Sequence, residues 1–240
     1  MTRIFSSICA LLFSLCIYGQ FNYDYCYAPV EQAIETLNAL EKPLPGKMHF
    51  IDLVIKNSVK TDAGGQMKTS YQRIFLTQNL FILESDITSV YGDTNETYMV
   101  YHPNRVIVKS IGSGYYNFEE VKTKTFEIQK TLIKESRLVN CSYINENGLQ
   151  LLETSYILND SLSKTLGINS MRLQVDTSRA LVYRVEKFYN DESKVQNQVV
   201  TYNKIRYNIH SSKRGKASSY IFKKDEILLD KYSSYHLYEK

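Results

Sequence analysis

The sequence predicts a mainly β chain of the α+β class: antiparallel strands accompanied by one N-terminal amphipathic helix and a short mid-chain helical segment. The hydrophobic period decides this first, since apolar residues recur at three- and four-residue steps near residue 30 and at every second position from residue 48 onward. Composition points the same way, because 20 Tyr and 10 Phe, with no Trp, suit a pleated and half-buried surface. With 43% hydrophobic residues, 10 Gly and 4 Pro in 240 residues, the chain has an ordered core and no low-complexity tract. A net charge of +4 is too small to require nucleic acid as a partner.

Residues 1–19 read as a secretory signal peptide. Arg3 supplies the basic start, residues 4–17 are apolar apart from serines, and Gly19 suits cleavage before Gln20. The run is shorter than the roughly 18–20 residues of a spanning helix. A lipid-modified cysteine is disfavoured, since Ile8 precedes Cys9 and Leu15 precedes Cys16, and neither residue is small. Residues 20–240 are then expected to form a single domain in the periplasm, with Cys26 and Cys141 as its cysteines. Two readings of that pair stay open. One is a disulfide closing a loop of more than a hundred residues, which the chain-entropy model values at roughly 4–5 kcal/mol. The other is two separate buried thiols.

Pro29 is expected in the first turn of the helix, where its missing N–H is no loss. Val30, Ala33, Ile34, Leu37 and Leu40 then form its apolar stripe, and Pro43, Pro45 and Gly46 end it. Strands are expected at 48–59, 67–77, 80–84, 97–101 and 106–111, with a loop at Gly64-Gly65, a turn at 92–95 and a tight hairpin at His102-Pro103-Asn104-Arg105. Both faces of 97–101 are apolar, which predicts cover on two sides, the helix supplying one of them. Residues 115–137 are read as helical. Strands resume at 139–144 and 149–158 around a turn at 145–148, and residues 160–167 form a short loop or helical turn. Met171, Leu173 and Val175 alternate with Arg172, Gln174 and Asp176, and Leu181, Tyr183 and Val185 alternate with Arg184 and Glu186. This predicts a hairpin with one dry and one wet face. Segments 199–209, 218–222 and 235–238 complete the expected sheet.

Catalytic chemistry finds no motif. His49, His102, His210 and His236 lie on separate predicted elements without metal-ligand spacing, so no metal is expected. Gly112-Ser113-Gly114 is too short for a nucleophile elbow, no phosphate-cradling loop occurs, and Cys26 and Cys141 are far from a C-x-x-C arrangement. The adjacent carboxylates Glu119-Glu120 and Asp225-Glu226 read as solvated. The chain is accordingly expected to be non-catalytic and to need no cofactor.

Binding is the stronger reading. Most aromatic residues pack a sheet, yet the dry face exceeds what one short helix covers, leaving a groove for an acyl chain or apolar peptide. Lys213, Arg214, Lys216, Lys223 and Lys224 form the densest basic cluster. It is either a solvated hairpin loop or a peripheral membrane contact, where each charge would add about 1 kcal/mol against anionic headgroups. Asp160-Ser161-Leu162 matches a short O-glycosylation sequon, and a helix cap by Asp160 or Ser161 explains it equally well.

Two segments carry a family resemblance. One runs from Ser85-Asp86 through Tyr98-Met99-Val100-Tyr101-His102-Pro103, and the other is Leu173-Gln174-Val175-Asp176-Thr177 leading to Leu181-Val182-Tyr183. In this order the chain resembles the LolA/LolB superfamily of periplasmic lipoprotein carriers. The resemblance implies a half-open antiparallel β-barrel closed by helices, with a hydrophobic cavity between them. The chain differs from true carriers in that Leu80-Phe81-Ile82-Leu83 is wholly apolar where those proteins place a cavity arginine.

The expected site is an apolar cavity. Val30, Ile34, Leu37 and Leu40 would form its lid, and Phe81, Leu83, Tyr98 and Val100 its wall. The expected partner is a lipid or acylated protein, in lipoprotein or outer-membrane biogenesis. A second reading has the same scaffold filled by its own side chains and docked on an outer-membrane protein complex such as a secretion translocon.

Overall fold

The computed structural model describes residues 24–38, 43–61, 64–112, 131–223 and 226–239, and of Asp24, Leu37, Asn38 and Gly64 only the backbone. The expected signal peptide, most of the 115–137 segment and Leu40 lie outside the described residues.

Helix α1 (Asp24–Asn38) precedes six strands that follow one another as a meander: β1 (Lys47–Thr61), β2 (Gly64–Leu76), β3 (Leu80–Ser85), β4 (Thr88–Asp93), β5 (Glu96–Tyr101) and β6 (Val106–Ile111). A helical turn at 131–135 leads into a second meander. It contains β7 (Arg137–Glu146), β8 (Leu149–Ile157), helix α2 (Asp160–Leu166), β9 (Ile168–Asp176), β10 (Leu181–Tyr189) and β11 (Val195–His210). Two 3-10 turns, Ala217–Tyr220 and Asp230–Tyr232, precede β12 (His236–Glu239). The long strands β1 and β11 pair with each other and fuse the two meanders into one curved twelve-stranded sheet, ordered β12-β6-β5-β4-β3-β2-β1-β11-β10-β9-β8-β7. The mainly β, largely antiparallel class read from the sequence is the class observed.

Several local expectations need correction. Pro29 sits inside α1 rather than in its first turn. An interior proline costs about 3 kcal/mol, offset here by complete burial of Cys26, Val30 and Ala33 on the same face. Gly64 and Gly65 belong to β2, paired with Thr61 and Lys60. The 218–222 segment is a 3-10 turn and an isolated bridge of Phe222 to Leu228, not a sheet strand. β12 runs parallel to β6, because a crossing segment rather than a hairpin delivers it there. Helix α2 is capped neither by Asp160 nor by Ser161. Asn159 Oδ1 accepts from the Leu162 N–H at 2.9 Å, and Gly167 ends the helix at φ +67°.

Turn chemistry explains the hairpins. Asn147 and Gly148 both have positive φ, the two-residue form that matches strand twist between β7 and β8. Asp176 ends β9 by accepting from the backbone N–H groups of Ser178 and Arg179 at 3.0 and 3.2 Å, and from Ser178 Oγ at 2.6 Å. Burial pushes its carboxyl up, but the bonds from Ser178 and Arg179 outweigh this and hold it below the usual carboxylate range. Asp93 ends β4 in the same way, accepting from Asn95 and Glu96 at 2.8 and 3.1 Å.

Residues paired across strands point to one side of a sheet, so the register assigns every side chain to a face. Phe50, Phe75, Ile82, Tyr91 and Tyr98 fall on one face, and Ile51, Ile74, Leu83 and Val90 on the other. The C-terminal segment crosses the first of these faces as a strap. Ala217 and Ile221 are fully buried there with Ile82, Tyr98 and Val100. Helix α1 lies on the second face, over β9 and β10. The expectation that the helix covers strand 97–101 is therefore corrected: the strap covers β4 and β5. The expected wet side of the hairpin β9–β10 is polar but largely not wet: Arg172 meets Glu186 at 3.3 Å and Gln174 donates to Glu153 at 2.9 Å, while Gln174 and Glu186 are buried.

Candidate functional site

The dry side of the second meander carries the site. Met171, Leu173 and Val175 alternate inward from β9 and are 6%, 3% and 0% exposed. A register shift between Val182 and Arg184 turns β10 over by one residue. Val182 therefore points inward before the bulge, and Val185 and Lys187 line the cavity after it. The simple alternation of Leu181, Tyr183 and Val185 is corrected at this point. Val200 and Tyr202 of β11 continue the surface.

Helix α1 and the 131–135 turn roof this surface. Ile34, Leu132 and Ile133 enclose a cavity of about 70 Å³ against Met171, Leu173 and Val182. An outer groove of about 280 Å³ lies between α1 and the 131–135 turn, lined by Tyr27, Glu31, Glu35 and Lys134. Ile34 and Ile133 line both spaces, so these two side chains form the partition between them. At its N-terminal end α1 is tied to β7 by the disulfide Cys26–Cys141, with Cα atoms 6.5 Å apart. Of the two cysteine readings the sequence left open, the structure has the disulfide, which marks an extracytoplasmic chain. Near the other end of α1, Tyr207 Oη donates to the Thr36 carbonyl at 3.1 Å.

Polar groups edge the apolar surface. Met171, Lys187, Gln198 and Asn57 pair across β9, β10, β11 and β1 in one row, and Gln198 Nε2 donates to Asn57 Oδ1 at 3.1 Å. Among the described residues the Lys187 ammonium has no hydrogen-bond or ion-pair partner, and burial holds it below the usual lysine range. Burial pushes the Tyr202 phenol up to about 12, and the Tyr207 phenol likewise to about 12 with Tyr202 adding to it.

The structure brings only part of the sequence-predicted site together. Val30 and Ile34 lie in the cluster under α1. Leu37 is within the described backbone of α1, but its side chain and all of Leu40 lie outside the described residues. Phe81 and Leu83 form a separate cluster with Leu76, on the α1 side of the sheet but away from the helix. Tyr98 and Val100 lie on the opposite side, under the strap. The four wall residues thus divide between two faces, because the separate strands do not share one inward parity. The side chains that line the cavity opposite α1 include Met171, Leu173, Val185, Val200 and Tyr202. Sequence reasoning singled out the β9 alternation without assigning it to the cavity. It passed over Lys187, although the odd-numbered parity running through Val185 points to it.

Other features of the described residues bear on function. Lys213 of the basic cluster meets Glu84 at 3.2 Å and lies 4.3 Å from the Phe75 ring centre, and Lys223 pairs with Asp230. Among the described residues no group of three or more His, Cys, Asp or Glu could hold a metal ion, and no helix is long and apolar enough to cross a membrane.

No protein-family model matches the sequence, and no curated protein is similar to it. The fold does have likenesses among solved structures. An uncharacterised conserved protein from Thermus thermophilus aligns at a TM-score of 0.44 and 9% identity, over 90% of this chain and 99% of its own. The Mycobacterium tuberculosis lipoprotein LppX aligns at 0.43 and 9% identity, over 76% and 95% of the two chains. A LolA superfamily protein from Nitrosomonas europaea aligns at 0.27 and 7% identity, over 76% and 93%. At these identities the likeness is one of fold alone.

Proposed function

We propose that the protein is a non-catalytic, exported binding protein that takes a single acyl chain between α1 and the dry face of β9–β11. The observation that carries this reading is the divided apolar space under α1. An inner cavity and an outer groove, about 70 and 280 Å³, meet at the two side chains Ile34 and Ile133. Ligand sites of small molecules span roughly 300–1,000 Å³, so the groove alone is marginal and a chain needs the two spaces joined. Joining them requires α1 to lift by a small amount. The disulfide keeps its first turn on β7 while the end held by the Tyr207 hydroxyl swings. Residues 20–240 would act as one domain in the periplasm after removal of 1–19, and the cargo would be a lipid or an acylated protein.

An uncharged probe tests this reading without reference to any headgroup. Nile Red or 1-dodecanol should bind the folded wild-type protein, and Ile34→Trp, which fills the partition, should abolish binding while leaving the circular dichroism spectrum intact. Wild-type protein that binds no uncharged apolar probe, and carries no lipid in native mass spectrometry, would refute the proposal.

A further inference from the structure

Lys187 is a cation that the apolar cavity does not need. It lines the same small space as Met171, Leu173 and Val185, where an aliphatic side chain would pack without a desolvation cost. Buried or half-buried ammonium groups are ordinarily paired. The carboxylates of this hairpin are not available to it. Glu153 and Glu186 lie on the opposite, polar face, taken up by Arg172 and Gln174. The neighbouring polar group in its row, Gln198, spends its amide on Asn57. The Lys187 side chain therefore lines an apolar space, and among the described residues no protein anion answers its charge.

The row position fixes where an anion would sit. Lys187 stands opposite Gln198, and Tyr202 lies four residues further along β11 on the same dry surface. At about 3.3 Å per strand residue this is roughly 13 Å of sheet. The surface thus has a cationic end and a long apolar run.

We infer that Lys187 reads the carboxylate of a free fatty acid, with the chain laid along β10 and β11 toward Tyr202. This rests on the acyl-chain reading above and narrows its ligand class to a single-chain amphiphile with an anionic head. A charge-assisted bond from an ammonium to a carboxylate is short and strong in such a setting, and the ion pair removes the penalty of an unanswered buried charge.

The test compares laurate with 1-dodecanol, equal in chain length, by displacement of Nile Red from the wild type and from Lys187→Met. The wild type should prefer laurate by about tenfold or more. Lys187→Met should lose that preference and keep the affinity for dodecanol. Dodecyl phosphate serves as a third ligand: binding tighter than laurate would assign the cation to a phosphate head instead and overturn the carboxylate assignment. Equal affinity of the wild type for laurate and dodecanol, or a preference that survives in Lys187→Met, would overturn the inference while leaving acyl binding intact. A wild type that binds none of these ligands would sink the acyl-chain reading itself.

Discussion

The two meanders are covered from opposite sides and by different means. On the strap side the cover is held by directed contacts. Asp93 Oδ2 accepts from the Ala217 N–H at 2.8 Å, the Tyr91 and Tyr232 hydroxyls meet at 3.2 Å, and His102 lies between Ser89 Oγ at 2.9 Å and Tyr235 Oη at 3.2 Å. Rings fill the space between, with Tyr91 stacked on Tyr220 and Tyr98 edge-on to Phe222. On the helix side the cover is an apolar stripe against an apolar sheet, tied at one end by a disulfide. Hydrogen bonds and stacked rings specify position, whereas aliphatic contact is non-directional and tolerates sliding. The strap is thus fixed by directed contacts beside a polar cleft of about 700 Å³ lined by Glu96, Lys109 and Glu239, whereas the helix side leaves a smaller, mainly apolar space beneath α1.

Several experiments would break or sharpen this contrast. The largest effect is expected from Cys26→Ser combined with Cys141→Ser. Opening a loop with a sequence separation of 115 should cost about 4–5 kcal/mol on the chain-entropy model. Urea unfolding measures the loss, and amide exchange should locate it in α1, β9 and β10 while β3–β5 keep their protection. Equal acceleration of both halves would show that the covers are not independent. Next comes Ile221→Ala, which empties a fully buried site under the strap and should cost about 3 kcal/mol. Exchange should then rise in β4 and β5, with binding of an uncharged probe under α1 unchanged.

Tyr207→Phe removes the hydrogen bond to Thr36 at a cost of about 1 kcal/mol. Stopped-flow mixing with Nile Red should show faster association, because the swinging end of α1 is released. An unchanged rate would argue against α1 as the moving part. The smallest effect is expected from pH. Burial, with Lys231 adding to it, holds the His102 imidazole below its ordinary value of 6.5. The folded state thus prefers the neutral ring. The stability this contributes is complete above pH 6.5 and is lost as the pH falls from there toward the lower folded value. The thermal midpoint of the wild type should drop on acidification through this window more than that of His102→Gln, and parallel curves would remove His102 from the strap's anchorage.

The legible and illegible parts of this molecule follow from the range of the interactions involved. Strand positions could be read because the two-residue period is local. The segments expected at 80–84 and 106–111 match β3 and β6 to within a residue. Turn residues were legible for the same reason at Asn147-Gly148 and His102–Arg105. The wall of the site was not. Phe81 and Tyr98 each look like core, and which face each one serves depends on pairing through Ile82 and Tyr91. The register shift beside Tyr183 is equally invisible locally, yet it decides that Val182, rather than Leu181 and Tyr183, faces the cavity.

By itself, the sequence determined a mainly β chain with one amphipathic helix, the alternation of β9, and the two cysteines able to tether that helix. Periodicity, turn chemistry and composition act over a few residues, and that is enough for those features. Only the tertiary structure decided that α1 and the strap lie on opposite faces, that Pro29 is inside its helix, and that Val182 rather than Tyr183 faces the apolar cavity. The first depends on strand partners more than a hundred residues apart, as in the pairing of β1 with β11, the second on burial strong enough to override local preference, and the third on a register shift between β9 and β10.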